Sequence, residues 1–252
     1  MPPCRRAVGA AVGRWLTPPS VRGTVKCETE AFRRRSPAEA AIDPLCPRCG
    51  AELSAGSEWR CPRHGPVPPL RLRPGLISSS PAELPGSVPV WLPWPWPPDW
   101  TPAGAALVGD DPACAVATAY GVTNPLGGLG EVVLVAEEPG VGLGAALAAV
   151  AGSLDPETID MAAITSCVPH ARIIAGGRPT ALWSVPADAD RAVYVGEAAG
   201  LLLWIIGFPE DVGYLVHDEL QLADARSDGA RWAPLADYAD AVPSQRLHPK
   251  PT

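Results

Sequence analysis

The chain has 252 residues, 47% of them hydrophobic, and a formal net charge of −7. Thirty-two prolines and twenty-five glycines exclude an architecture of long helices. The longest apolar runs, residues 198–208 and 141–154, contain glycine and fall short of the roughly 18 residues that span a bilayer.

Residues 1–43 read as a disordered basic leader. They carry eight basic and four acidic side chains, include the run Arg33-Arg34-Arg35-Ser36-Pro37, and sustain no apolar period. Arg5-Arg6 before a short apolar stretch resembles a signal peptide only faintly, because Arg14 ends the stretch. Seven cysteines without framework spacing suit a reducing cytoplasm, and that is the predicted location.

Residues 44–70 commit to a chemistry. Cys46-Pro47-Arg48-Cys49-Gly50 is followed by Cys61-Pro62-Arg63-His64-Gly65, with eleven residues between Cys49 and Cys61. Each Cys-x-x-(Cys/His) turn points two side chains inward, and the trailing glycine permits positive φ where the chain leaves. Three sulfurs and one imidazole form a ligand set that zinc takes tetrahedrally. The predicted site is therefore Cys46, Cys49, Cys61 and His64 in a zinc ribbon. With four protein ligands and no open position, the metal is structural rather than catalytic. Short strands are predicted at 51–53 and 57–60, with Leu53 and Trp59 packed beside the metal. A redox Cys-x-x-Cys normally opens a helix in a βαβ setting, and none follows Cys49.

Residues 71–88 read as a Pro/Ser/Gly linker centred on Ser78-Ser79-Ser80-Pro81. Ribbon and body are expected to be separable, unless Leu70, Leu72 or Leu76 anchors the sheet edge. The stretch PVWLPWPWPPDW at 89–100 has five prolines, so it must run extended as a strap. Its tryptophans either form an exposed binding platform or fill a core otherwise built from Ala, Val and Gly. The second reading predicts burial of Trp91 and Trp94.

The body, 89–225, reads as an α+β domain with a mainly antiparallel sheet. Segments 105–108 and 114–120 flank Gly109-Asp110-Asp111-Pro112 and suggest a hairpin. The continuous apolar run 132–136 suggests a strand buried on both faces. A short helix is expected within 140–151. Strands are expected at 171–174, 180–185, 192–195, 201–206, 214–216 and 219–222. Residues 226–252 read as a loose tail.

Other candidate chemistry is weaker. Gly140-Val141-Gly142-Leu143-Gly144 lacks the spacing of a dinucleotide turn, so close packing explains its glycines better. Cys167 and His170 repeat the ligand spacing without a second pair. There is no G-x-S-x-G and no H-E-x-x-H. An enzyme would need His217, Glu219, Glu137, Glu138, Glu197 or Arg178 to converge in one cleft. Nucleic-acid binding would use Arg48, Arg60, Arg63, Arg71 and Arg73. The first 75 residues carry a net +7 and the remainder −14, but eighteen arginines against two lysines reflect GC-rich coding as much as function.

The order CPRCG…CPRHGPV, PVWLPWPWPPDW, NPLGGLGE, LVAEEPGVGLGA, HARIIAGGRPTALW and YVGEAAGLLLW resembles an actinobacterial family of unknown function that begins with a zinc-ribbon-like segment. The resemblance covers about residues 44–225 and implies no activity. The expected role is a cytoplasmic binding or adaptor module with structural zinc and a protein partner. A His/carboxylate enzyme and an Arg-mediated nucleic-acid binder are the alternatives, and no membrane association is expected.

Overall fold

A computed structural model describes residues 44–73, 76, 84–150, 164–217, 220–227 and 243–250. The leader 1–43, the serine-rich centre of the 71–88 stretch, Glu219 and most of the 226–252 tail lie outside the described residues.

In chain order the strands are β1 (Arg60–Cys61), β2 (Gly65–Pro66), β3 (Leu70–Leu72), β4 (Trp91–Pro93), β5 (Thr101–Val108) and β6 (Ala115–Thr123). They continue with β7 (Leu129–Glu137), β8 (Ala171–Ala175), β9 (Arg178–Ser184), β10 (Ala192–Ala198), β11 (Leu201–Phe208) and β12 (Gln221–Asp224). A short helix α1 (Leu143–Ala148) follows β7. Strands β1 and β2 pair with each other, and the other ten form one sheet in the order β3-β5-β6-β7-β11-β10-β9-β8-β12-β4. Every pairing is antiparallel except β8–β12. The fold is α+β, with a large, mainly antiparallel sheet and little helix among the described residues.

The predicted hairpin is β5–β6, and the doubly buried run is β7. Successive residues of β7 enter opposite cores: Val132, Leu134 and Ala136 on one face, Val133 and Val135 on the other. Strand β11 repeats the division, with Leu203 and Ile205 against Trp204 and Ile206. The first face is covered by the tryptophan strap and the second by α1 and Leu247. The sheet coils enough for its far edge to return over β6. There the carbonyl of Trp91 accepts from Thr118 Oγ1 at 3.1 Å and from the Tyr120 hydroxyl at 2.9 Å.

The strap fills core as its second reading predicts for Trp91, whereas Trp94, also expected to be buried, is only partly so. Trp91 and Trp100 are buried, while Trp94 and Trp96 are half-buried against the same cluster. Trp96 and Trp100 flank the Tyr120 ring at centroid distances of 6.0 and 5.7 Å.

Three segments behave differently from their sequence readings. The strand expected at 214–216 is part of a 3-10 helix, Glu210–His217. Val212 and Val216 face the core there while Tyr214 is 56% exposed, a spacing that suits a helical turn and not an alternating strand. The 71–88 stretch supplies Leu72 to β3, and Leu76, Leu84 and Val88 are buried in the strap-face core. Residues 243–250, read as loose tail, dock on the sheet: the Ser244 amide donates to Ala103 at 2.7 Å, and Leu247 is buried.

Candidate metal centre

Each Cys-x-x-(Cys/His) turn closes on itself. In the first, the Gly50 amide donates to the Cys46 carbonyl at 2.8 Å, and Leu45 bridges Glu52 across the turn. In the second, the Arg63 amide donates to Cys61 Sγ at 3.4 Å, and Cys61 pairs with Gly65 in the β1–β2 ladder. The strands predicted at 51–53 and 57–60 are thus replaced by shorter pairings that flank each turn. Gly50 and Gly65 both take φ of 67°, a left-handed conformation that the turn exit requires.

The four ligand atoms lie within 4.8 Å of one another. Cys49 Sγ is 3.7 Å from Cys61 Sγ, and His64 Nδ1 is 3.4 Å from Cys46 Sγ and 3.6 Å from Cys61 Sγ. Sulfurs bound to one zinc at about 2.3 Å would sit about 3.8 Å apart, and sulfur to nitrogen about 3.6 Å. The residues therefore fit a tetrahedral ion, with His64 coordinating through Nδ1. Cys46, Cys49 and Cys61 are buried and His64 is half-buried. Burial pushes the Cys46 thiol up to about 12, against backbone N–H donors from Arg48 and Cys49. At Cys61 burial also opposes ionisation, but the N–H groups of Arg63 and His64, with the Cys46 and Cys49 thiols, hold it below the usual thiol range. A bound cation would supply what the buried thiols lack, a counter-charge for their deprotonated form.

Leu53, Val67 and the half-buried Trp59 surround the cysteines. The Arg71 guanidinium lies 5.6 Å over the Trp59 ring and pairs with Asp110. Three contacts fasten the centre to the body. Leu45 and Leu70 exchange backbone hydrogen bonds at 3.0 and 2.8 Å. Arg48 donates to the carbonyls of Gly140 at 2.8 Å and Val141 at 3.3 Å. Gly50 faces Pro249 so closely that a β-carbon would come within 2.1 Å of the Pro249 carbonyl oxygen. Neither Arg48 nor Pro249 is legible as a docking residue in the sequence, because each partner is about ninety or more positions away.

A family model matches residues 41–241, from just before the first cysteine turn to beyond the body. The chain belongs to DUF6758, a family of unknown function. No curated protein and no solved structure matches the chain. DUF6758 membership thus brings no activity with it.

The other candidate residues are not brought together. Glu137 is buried on the helix face, where its carboxylate accepts from the Leu143 amide and from Trp204 Nε1, both at 2.7 Å. His217 stands on the strap face, 3.3 Å from the Tyr194 hydroxyl. The sheet separates the two. Glu197 and Arg178 are exposed, and Glu138 is half-buried. His170 Nδ1 accepts from the Ser184 amide at 3.1 Å, and the Cys167 carbonyl accepts from Trp183. Among the described residues, no second cluster of three or more His, Cys, Asp or Glu could hold a metal. The glycine-rich turn before α1 serves packing: a β-carbon at Gly144 would lie 2.2 Å from the Trp204 ring.

Glu137 should nevertheless leave a mark on stability. Desolvation raises its carboxyl to about 7, against donors from Gly144, Leu143, Trp204 and Gly142. The folded chain then keeps a proton that the unfolded chain releases near pH 4.5. Its contribution to stability accordingly falls as pH rises from about 4.5 to about 7, by roughly 3 kcal/mol in total, and is flat above. Urea unfolding of wild type and Glu137→Gln at pH 5 and pH 8 isolates this residue from the others. The variant should gain on wild type by roughly that amount at the higher pH. A pH-independent difference would show that Glu137 does not hold its proton.

Proposed function

We propose that this protein is a cytoplasmic binding or adaptor module whose Cys46, Cys49, Cys61 and His64 hold one structural zinc ion. The observation that carries the reading is the closed tetrahedral spacing of three buried sulfurs and one imidazole nitrogen. A cytoplasmic location would keep the thiols reduced and available to metal. Among the described residues, no helix is long and apolar enough to cross a membrane.

The adaptor role rests on the β6–β7 turn. Asn124 fixes it through its side chain, which accepts from the Leu126 amide at 2.9 Å, and through its carbonyl, which accepts from Gly127. This tied turn holds Leu126 and Leu129 in solvent at 69% and 92% exposure, an arrangement suited to an apolar pocket on a partner protein. The nucleic-acid alternative has less support. Arg48 is committed to backbone carbonyls, Arg60 lies beside Glu58 and Arg71 pairs with Asp110. The enzyme alternative loses its convergence with His217 and Glu137 on opposite faces.

Metal analysis and affinity capture on one preparation from the native host test both parts. Elemental analysis should find one zinc per chain. Wild type should retain a protein partner that Leu126→Ser/Leu129→Ser releases. A zinc content well below one refutes the metal assignment, and equal capture by the double variant refutes the docking turn.

A further inference from the structure

Four neighbouring strands finish at one end of the large sheet. The register aligns Thr101 of β5 with Gly121 of β6, Gly121 with Glu131 of β7, and Glu131 with Phe208 of β11. Beyond that row lie Asp99, the β6–β7 turn with Leu126 and Leu129, and the start of the 3-10 helix at Glu210 and Asp211. Three strand spacings of about 4.8 Å place these groups across roughly 14 Å. The turn and the helix also pack together. A β-carbon at Gly130, next to Leu129, would collide with the Val212 side chain and lie 2.9 Å from the Phe208 carbonyl oxygen.

The charge at this end has one sign. Residues 98–101, 121–130 and 208–212 contain Asp99, Glu210 and Asp211, and no lysine, arginine or histidine. Asp99 and Glu210 are exposed and Asp211 is half-buried. None of the three makes an ion pair among the described residues. Arg246, beside the same row, is shared between Glu131 and Asp190 at 3.6 Å each. Leu126 and Leu129 thus stand in solvent among three carboxylates that no described cation offsets. Because Asn124 already ties the turn, presenting the leucines to a partner requires little further ordering.

Apolar groups set among carboxylates select among occupants. An anionic membrane surface and a nucleic acid would both be repelled. A second copy of the chain would bring a like-charged body, with 21 acidic and seven basic side chains from residue 76 onward. A basic partner would be steered to this end and would match both its charge and its apolar area. Resting on the reading of the β6–β7 turn as the docking element, we propose that this end binds a basic amphipathic segment of a partner protein. Apolar side chains of that segment cover Leu126 and Leu129, and its flanking lysines or arginines face Asp99, Glu210 and Asp211.

Fluorescence anisotropy of a labelled leucine/lysine peptide with a helical apolar period, titrated with the full chain, tests this. A leucine/glutamate peptide of the same pattern is the control. The lysine peptide should bind saturably, one per chain, and lose affinity as salt rises, while the glutamate peptide should not bind. Asp99→Asn/Glu210→Gln/Asp211→Asn should weaken binding about tenfold, the sum of three modest rim pairs. Leu126→Ser/Leu129→Ser should weaken it at least as much. Both variants should keep the wild-type thermal midpoint, since none of the altered side chains is buried. Failure of the lysine peptide to bind saturably would overturn the proposal, as would equal binding of the glutamate peptide. If the leucine variant weakens binding and the carboxylate variant does not, the docking turn stands and the basic partner falls. If the leucine variant binds like wild type, the docking turn itself falls. Leucine-dependent binding to uncharged phosphatidylcholine vesicles, or leucine-dependent dimerisation, in place of peptide binding would assign the turn to another occupant and overturn the proposal.

Discussion

Stripping the metal from Cys46, Cys49, Cys61 and His64 is expected to lower the thermal transition of the whole chain by on the order of 10 °C. The sequence alone predicts a much smaller effect, because the ribbon and the body look joined by a polar tether. The contacts at the seam reverse that expectation. Leu70, buried to 1% exposure, belongs at once to β3 of the large sheet and to the backbone pair with Leu45. Arg48, inside the first metal-binding turn, holds the loop that leads into α1. Gly50 receives Pro249 from the docked C-terminal segment. Without metal, the two cysteine turns have too little apolar area to stay folded, and these contacts lose their anchor. Differential scanning calorimetry with and without chelator measures the shift. Arg48→Ala separates docking from ligation: it should keep its metal while losing part of the midpoint. A midpoint that moves by less than about 2 °C on chelation would establish an autonomous ribbon.

Trp204→Ala is expected to be the most damaging single substitution in the body. The side chain is fully buried on β11, and truncating a buried aromatic ring costs about 3–5 kcal/mol. Its indole N–H also donates to Glu137, so the substitution leaves a buried carboxyl oxygen without that partner, a further 1–3 kcal/mol or so. Together these approach the whole stability of an ordinary domain, about 5–15 kcal/mol. The expected result is a protein that is unfolded or marginally folded at 25 °C, read by urea titration with circular dichroism. Trp204→Phe keeps most of the ring and should cost only about 1–3 kcal/mol. Gly144→Val drives side-chain atoms into the same ring from α1 and should be nearly as damaging as the truncation. Loss of under about 1 kcal/mol in Trp204→Ala would mean that the Glu137–Trp204–α1 cluster does not anchor the helix face.

What could be read from the sequence was local. Two Cys-x-x-(Cys/His)-Gly turns specify a ligand set because each turn orients its own pair of side chains within four residues. The doubly buried β7 and the β5–β6 hairpin follow from apolar runs and a turn of the right length. The prolines of the strap exclude helix and central strand, and β4 does lie at the sheet edge. Only the tertiary structure decided which of these pieces meet. The sequence names Leu70 only as one of three leucines able to anchor the sheet edge, and nothing near Pro249 marks its place on Gly50. The residues at 214–216 carry a strand-like composition. Their conformation was set by the Val212 and Val216 side chains packing onto a surface formed by other strands. Glu137 and His217 are among the residues that an enzyme would need in one cleft, but the alternation of the strands and the position of the 3-10 helix place them on opposite faces. The C-terminal segment is the plainest case. Arg246 lies in a stretch that reads as loose tail, and only the docking of that segment sets its guanidinium over the Phe208 ring, beside Asp190 and Glu131.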